Sequence, residues 1–308
     1  MSIFSKVLDS LNVVFHKAEM REVIRPVEFN GLIFPINHIT QLHKGHMYND
    51  GSTVSMKEGT FYFRPAGREI NSLHGTSKEY ARFGRDGFPS QEAREKHLKR
   101  ISCFSDVSDK KEIFSFVGFD VMLYDAVPFF SILELPAFSI PYDLELAFLI
   151  RQLCIESEQE KIGRAVLLKN YTEEVVIQLC RYIDSQPQFA KNIEKINYLT
   201  DKRLIKLIQF IQENLGSDLS NKRLAEVAFL SEDYIGQFFK SLTNSNIQDY
   251  VESQRLERAR LMLNTTSNNI QEISQAVGFK DPAYFSRRFK MKFKVNANTL
   301  RKSEEDII

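Results

Sequence analysis

Residues 277–296 read VGFKDPAYFSRRFKMKFKVN, which places a glycine, a proline, five aromatics and six Lys/Arg in twenty positions. Two readings compete for such a stretch: an amphipathic helix with a solvated basic side, or a surface that meets a polyanion. Its punctuation is informative. Gly278 suits a turn that needs positive φ. Asp281 can cap the next helix through its carboxylate, and Pro282 takes the first helical position, where no amide hydrogen is needed. Phe285 and Phe289, four apart, share one face. That leaves Ala283, Tyr284, Ser286, Arg287 and Arg288 for the outer side.

The same pattern occurs earlier in the chain. LAEVAFLSEDYIGQFFK (224–240) aligns with ISQAVGFKDPAYFSRRFK (273–290), first at an offset of 49, which sets Leu224 over Ile273 and Leu230 over Phe279. The ends align at an offset of 50, with Phe239-Lys240 over Phe289-Lys290, so the one-residue slip falls in the turn. Each copy reads as a short helix, a tight turn and a second helix with a marked start, the helix-turn-helix signature. In the first copy Ser231 is the cap, Ile235 and Phe239 face the core, and Glu232, Asp233, Gly236 and Gln237 face outward. Between the copies, NIQDYVESQRLERARLML (246–263) reads as a helix opened by an Asn246 cap with Asp249 in its first turn. About 17 residues of helix span roughly 25 Å. Such a rod can set two reading helices into successive major grooves, about 34 Å apart on one face of a duplex.

Outward from this repeat, the 308 residues suffice for two domains with full cores. Composition sits near globular averages. No apolar run approaches the ~18 residues that span a bilayer, and MSIFSKVLDSLNVVF is a poor signal peptide, so a cytoplasmic chain without a membrane partner is expected. Three scattered cysteines argue against a disulfide framework and sit at no metal-ligand spacing; Cys154 and Cys180 read as core residues. The net charge of +1 conceals a mild split, +3 over residues 201–308 against −2 over 1–200. Within 280–294, however, six basic residues face one acid, Asp281. Local clustering of this kind is what points to a polyanion.

Residues 1–140 carry short Val/Ile/Phe runs broken by Gly, Pro and Asn, among them VIRPVEFNGLIFPINHI, TFYFRPAG and FSFVGFDVML, which read as antiparallel strands. The charged insert TSKEYARFGRDGFPSQEAREKHLKR (76–100) reads as a surface excursion with a short helix after Pro89 and Ser90. Residues 141–183 switch to helical spacing: Leu146, Leu149, Leu153, then Ile162 and Val166, then Val175, Leu179, Ile183. Two helices joined near Glu158–Lys161 make an antiparallel hairpin, which either packs on its own domain or forms a dimerisation surface. Residues 184–200 read as a linker, because Pro187 blocks a continuous helix and the segment is polar.

At this point the chain resembles the arabinose-regulator (AraC/XylS) family of bacterial transcription factors. The resemblance covers the last hundred residues: Leu224-Ala225, Ser231, Phe239-Lys240, Tyr250, Arg255-Leu256, Ala259, Ile273, Val277-Gly278-Phe279, Tyr284-Phe285-Ser286-Arg287, Phe289-Lys290 and Arg301. It implies double-stranded DNA as partner, with base-edge roles for Asp233, Gly236 and Gln237 in the first copy and Ala283, Tyr284 and Arg287 in the second. Lys240, Arg288, Lys290 and Lys292 would hold phosphates. The pattern departs where Lys294, Asn296-Ala297 and Leu300 replace the family's usual Gly, Ser/Thr-Pro and Tyr, and where Asn244 stands for Gly. The family also implies a homodimer, a small-molecule effector in the front domain, RNA polymerase as a further partner, activation rather than repression, and no cofactor.

KEGTFYFRPAGREINSLH (57–74), with Gly59, Pro65-x-Gly67 and Ile70, is similar to the second motif of cupin barrels, with Ile70 in place of the metal-binding His. His43 and His46 have three-residue rather than two-residue spacing. The expected fold class is therefore α+β multidomain: an N-terminal β jelly-roll (cupin-like) barrel over 1–140, the hairpin, the linker, and an all-α tandem helix-turn-helix domain over 201–308. A rival reading is a metal-dependent cupin enzyme fused to a helical module, with His43 and His46 on the metal.

Overall fold

The computed structural model describes residues 3–49, 54–105, 112–125, 127–199, 201–243, 245–266, 268–293, 295–297 and 299. The chain divides into two compact units, Met1–Ile196 and Asn197–Ile308. The first is built on sheets and the second is helical, an α+β chain.

The described strands of the first unit are β1 (Leu11–Val23), β2 (Val27–Ile33), β3 (Asn37–Lys44), β4 (Met47–Asn49), β5 (Val54–Met56), β6 (Phe61–Arg64), β7 (Glu69–His74), β8 (Ala81–Phe83), β9 (Leu98–Ile101), β10 (Ile113–Leu123), β11 (Val127–Pro128) and β12 (Phe138–Ile140). The larger sheet runs β12-β6-β3-β10-β1-β9, with β11 on β10, and the smaller runs β5-β4-β7-β2-β8. All pairs are antiparallel except β8, which lies parallel to β2. Among the described residues the sheets stay separate and do not close into a barrel. They share one core, in which Val27, Phe29 and Ile70 of the smaller sheet meet Leu42, Tyr62 and Phe114 of the larger. Among the described residues three bulges interrupt the pairing: one at His16, between Phe15 and Lys17, one at His43 of β3, opposite Ile113 and Phe114, and one at Asn30-Gly31, between Phe29 and Leu32. Gly31 takes φ +69° there and donates its N–H to Asn71 Oδ1 at 2.8 Å.

The charged insert does more than make a surface excursion. Ser90 caps α1 (Gln91–His97) by accepting from Ala93 N at 3.1 Å, as the sequence predicts. The insert also supplies β8 and β9, and Arg82 on β8 pairs with Glu28 across the parallel register at 2.8 Å. Its charges mask strands too short to show alternation. Gly59 (φ +82°) and Gly67 (φ +75°) turn the chain on either side of β6. Ile70 sits 3% exposed in the shared core, a packing position. His43 is spent on Ser115 of the neighbouring strand (Nε2 to Oγ, 2.7 Å), and burial lowers its pKa to about 4, so it is neutral at pH 7. His46 is exposed, and among the described residues no group of three His, Cys, Asp or Glu is arranged to hold a metal. All three cysteines are buried free thiols.

After α2 (Phe129–Leu133) come the hairpin helices α3 (Leu144–Glu158) and α4 (Arg164–Ser185), which pack on each other and on β1. Asp143 caps α3 through Leu146 N at 2.8 Å, and Leu146, Leu149, Leu153, Val175, Leu179 and Ile183 are buried as their spacing predicts. Ile162 and Val166 are not. Ile162 is fully exposed before the turn at Gly163 (φ +84°), and Val166 is 61% exposed in the first turn of α4. Arg164 locks that turn by donating to the Glu156 and Ser157 carbonyls, each at 3.1 Å. The segment read as a linker also differs. α4 runs to Ser185, and α5 (Ala190–Ile193) and α6 (Ile196–Leu199) follow. Phe189 packs on Phe138 with ring centres 4.9 Å apart, and Asn192 donates to the Leu133 carbonyl at 2.9 Å. Pro187 ends a helix without freeing the chain. No helix among the described residues is long and apolar enough to cross a membrane.

Candidate nucleic-acid interface

The second unit consists of α7 (Lys202–Glu213), α8 (Asn221–Ala228), α9 (Glu232–Thr243), α10 (Ile247–Thr265), α11 (Ile270–Ala276) and α12 (Pro282–Phe293). The internal repeat becomes two helix-turn-helix pairs, α8–α9 and α11–α12. Their turns close identically. Leu230 N donates to the Ala225 carbonyl in one and Phe279 N to the Ser274 carbonyl in the other, both at 2.9 Å and both spanning five residues. This is the Schellman bond that satisfies orphan carbonyls at a helix end. The residue before each takes left-handed φ: Gly278 at +92° and, at the matching place in the first copy, Phe229 at +55°. Phe229 is 80% exposed, with the Lys206 ammonium 4.6 Å from its ring centre.

Two helix starts follow caps read from the sequence. Asp281 accepts from Ala283 N at 2.8 Å, and Asn246 accepts from Gln248 N at 2.8 Å. Asn269 and Glu272 form a reciprocal capping box at the start of α11. Ser231 serves α9 through its carbonyl, which accepts from Tyr234 and Ile235 at 3.1 Å.

α10 joins the pairs and buries two faces. Ile247, Tyr250 and Val251 are buried in its first half, and Leu256, Ala259 and Leu263 in its second. At ~100° per residue these sets lie roughly 150° apart around the axis. The first half meets α9, where Phe239 packs on Tyr250 at 5.4 Å. The second half forms a core with Ile273, Val277, Phe279, Phe285, Phe289 and Ala297. Ala297, where the family pattern has a different residue, is 5% exposed in that core. Nineteen residues make α10 about 28 Å long.

A second junction ties the pairs together. Arg255 on α10 donates Nε to the Leu215 carbonyl and Nη2 to the Ser217 carbonyl, both at 2.9 Å. A Cβ on Gly278 would stand 2.5 Å from the Leu215 oxygen, and a Cβ on Gly216 would stand 2.5 Å from the Ala276 oxygen. The loop before α8 and the turn before α12 touch backbone to backbone, through two glycines.

The outer faces hold the residues expected there. On α9, Glu232, Asp233, Gln237 and Lys240 are exposed and Gly236 is half-buried, with nothing within 4 Å of the place of its Cβ. On α12, Ala283, Ser286, Arg287 and Lys290 are exposed and Tyr284 is 40% exposed. The structure adds a partner with no local signal in the sequence. Glu252 of α10 accepts the Tyr284 hydroxyl at 2.5 Å and pairs with the Arg288 guanidinium. Hydrogen bonding to that carboxylate raises the pKa of both Tyr284 and Arg288. Lys292 is likewise engaged, donating to Ser253 Oγ at 2.6 Å and pairing with Glu257 at 3.0 Å. Of the four expected phosphate cations, Lys240 and Lys290 stand exposed, while Arg288 and Lys292 are half-buried and held by α10. Asn244, Lys294, Leu300 and Arg301, named in the family comparison, lie outside the described residues.

Residues 224–303 match a helix-turn-helix domain family. The chain is 31% identical over 111 residues to the Msm operon regulatory protein of Streptococcus mutans, covering 36% of this chain and 40% of that one. It is 32% identical over 123 residues to the arabinose operon regulatory protein of Escherichia coli, covering 39% and 41%. Among solved structures, the C-terminal domain of the response regulator yesN from Fusobacterium nucleatum is 31% identical, with 31% of this chain and 93% of that one covered at a TM-score of 0.30. The chain thus spans about two fifths of the length of the curated relatives it matches.

Proposed function

We propose that this chain, whose residues 224–303 are an AraC/XylS-type helix-turn-helix domain, is a sequence-specific DNA-binding transcription regulator and an activator. The observation that carries the reading is the paired reading helices, closed by the same turn bonds and mounted on one rigid α10. Selection of bound duplexes from a random pool with the full chain is expected to enrich a bipartite motif whose halves lie about one helical turn, ~10 bp, apart. A pool that returns no motif overturns the reading.

Base-edge roles fall to Ala283, Tyr284 and Arg287 on α12 and to Asp233, Gly236 and Gln237 on α9. Gln237 suits adenine, and Arg287 suits guanine O6 and N7. Tyr284 gives its only proton to Glu252, so its oxygen is left to accept, from cytosine N4 or adenine N6. Lys240 and Lys290 grip phosphates directly, and Arg288 and Lys292 do so by exchanging Glu252 and Glu257 for the backbone of the duplex. Glu252→Ala is then expected to loosen base choice opposite Tyr284. It also removes the carboxylate that Arg288 must leave, so affinity for random duplex rises. Unchanged affinity for random duplex and unchanged base choice in Glu252→Ala would remove Glu252 from the interface.

The first unit is proposed as an effector-sensing, jelly-roll-like (cupin-like) domain, and the regulator as a cytoplasmic homodimer that contacts RNA polymerase. Leu144, Phe148, Val166 and Leu167, exposed on the hairpin, support dimerisation there. Phe148→Asp, at a position 54% exposed, leaves the fold intact and is expected to shift the sedimenting species from dimer to monomer. A dimer of unchanged affinity excludes this face.

A further inference from the structure

In the first unit, the segment that follows β9 is pinned to the last turn of α3. Glu158 accepts from Cys103 N at 2.9 Å and from Ser102 Oγ at 2.7 Å. Cys154 lies four residues before Glu158, one turn back on the same helix face, where side chains stand about 5–6 Å apart. Cys103 rests against both. Its thiol is hydrogen-bonded with the Cys154 thiol and with the Glu158 carboxylate. Two sulfurs 51 positions apart in the chain thus meet at the root of the helical hairpin.

The two thiols differ in access. Cys103 is 7% exposed and sits between Ser102 and Phe104, which are both exposed, whereas Cys154 is 1% exposed inside α3. A reagent from solvent therefore reaches Cys103 first, and Cys154 meets only what Cys103 carries. The Cys154 thiol, burial and the Glu158 carboxylate push the pKa of Cys103 up, so it is protonated at neutral pH and exchanges slowly. A metal does not account for the cluster, because among the described residues no group of three His, Cys, Asp or Glu is arranged to hold one. What remains is a pair of thiols in contact, one of them at the edge of solvent.

We propose that Cys103 and Cys154 are a redox-active dithiol, which closes to an intramolecular disulfide by exchange with a low-molecular-weight disulfide. The Cys103 thiolate attacks one sulfur of the small disulfide, whose other half leaves as a thiolate. The Cys154 thiolate then attacks the Cys103 sulfur of the mixed disulfide, and the second half leaves. Two protein thiols are oxidised, the small disulfide is reduced to two thiols, and the two protons given up by the protein end on those thiols. The new bond ties the end of β9 to α3. Because the fold already holds the sulfurs together, the second step is intramolecular and its orientation is prepaid. In the unfolded chain the same step must first close a loop of some fifty residues.

The test equilibrates the full chain with mixtures of reduced and oxidised glutathione, in buffer and in urea. Samples are quenched with acid, and the disulfides are mapped by proteolysis and mass spectrometry. The folded chain is expected to lose two hydrogens in a Cys103–Cys154 link, with Cys180, buried on α4, left as a free thiol. Half-closure should need at least about tenfold less oxidised glutathione in buffer than in urea, since a disulfide that suits the fold and the fold itself stabilise each other. Excess reduced glutathione should reopen the link. Closure at the same mixture in buffer and in urea, a link through Cys180 in the folded chain, or three free thiols at every mixture overturns the proposal. No step of the measurement involves DNA, so its outcome is separate from the regulatory reading.

Discussion

Gly278→Ala is expected to lower the stability of the C-terminal unit by about 3 kcal/mol, with DNA binding lost alongside. Two costs combine. An L-residue at φ +92° in the left-handed region costs about 1–2 kcal/mol. The new methyl group also stands 2.5 Å from the Leu215 carbonyl oxygen and 2.8 Å from Arg255 Cζ, an overpacking that costs about 1–3 kcal/mol. Arg255 cannot simply swing away, because it donates to the Leu215 and Ser217 carbonyls. Urea unfolding followed by circular dichroism reads the loss. Gly236→Ala is the control: nothing lies within 4 Å of its Cβ, and alanine in a helix interior gains up to about 1 kcal/mol over glycine. Gly236→Ala should therefore stabilise the fold while weakening DNA binding, if the backbone of α9 approaches the bases there. A loss below about 1 kcal/mol in Gly278→Ala would mean that the turn relaxes and that the contact between the two pairs is not tight.

Arg287→Ala is expected to cost about 1–3 kcal/mol on the preferred duplex, roughly 5- to 150-fold in affinity, and almost nothing on random duplex. Arg287 is exposed on α12, with its guanidinium 6.0 Å from the Tyr284 ring centre. It differs in this from Arg288, one residue on, whose charge is taken by Glu252. The neighbouring Lys290→Ala should weaken all sequences alike and reduce the salt slope by about one, as a phosphate contact does. Competitive binding of both variants to selected and random duplexes separates the roles. Equal losses on both duplexes for Arg287→Ala would assign it to phosphate rather than to base.

Much of the second unit is legible in the residues. Asp281, Pro282 and Asn246 announce helix starts by local geometry and hydrogen bonding, and local bonds survive in any tertiary context. Gly278 announces its turn for the same reason, although the matching Phe229 shows that the left-handed position does not require glycine where the side chain is free to point into water. In the first unit the junction read at Glu158–Lys161 extends to Gly163, so Ile162 lies in the turn and Val166 on the exposed first turn of α4, and spacing alone does not show how far a turn runs. The segment at 184–200 is polar, yet Phe189, Ile193 and Ile196 are buried and anchor it, and three buried side chains outweigh a polar composition.

The sequence by itself determined the tandem repeat, its caps and turns, and which faces of α9 and α12 point outward. Each of these is set within one helical turn by periodicity and by side-chain-to-backbone bonds. Only the tertiary structure decided what sits beside those faces. Glu252 lies 32 residues from Tyr284 and 36 from Arg288, and no local pattern marks it as the acceptor of both. Gly216 and Gly278 are forced by backbones that meet across 62 residues of chain. Arg21 of β1 meets Glu95 of α1 across 74 residues, a pairing that appears only when the two elements pack together. Contacts at such separations depend on how elements pack against one another, and a pattern read along the chain has no access to that.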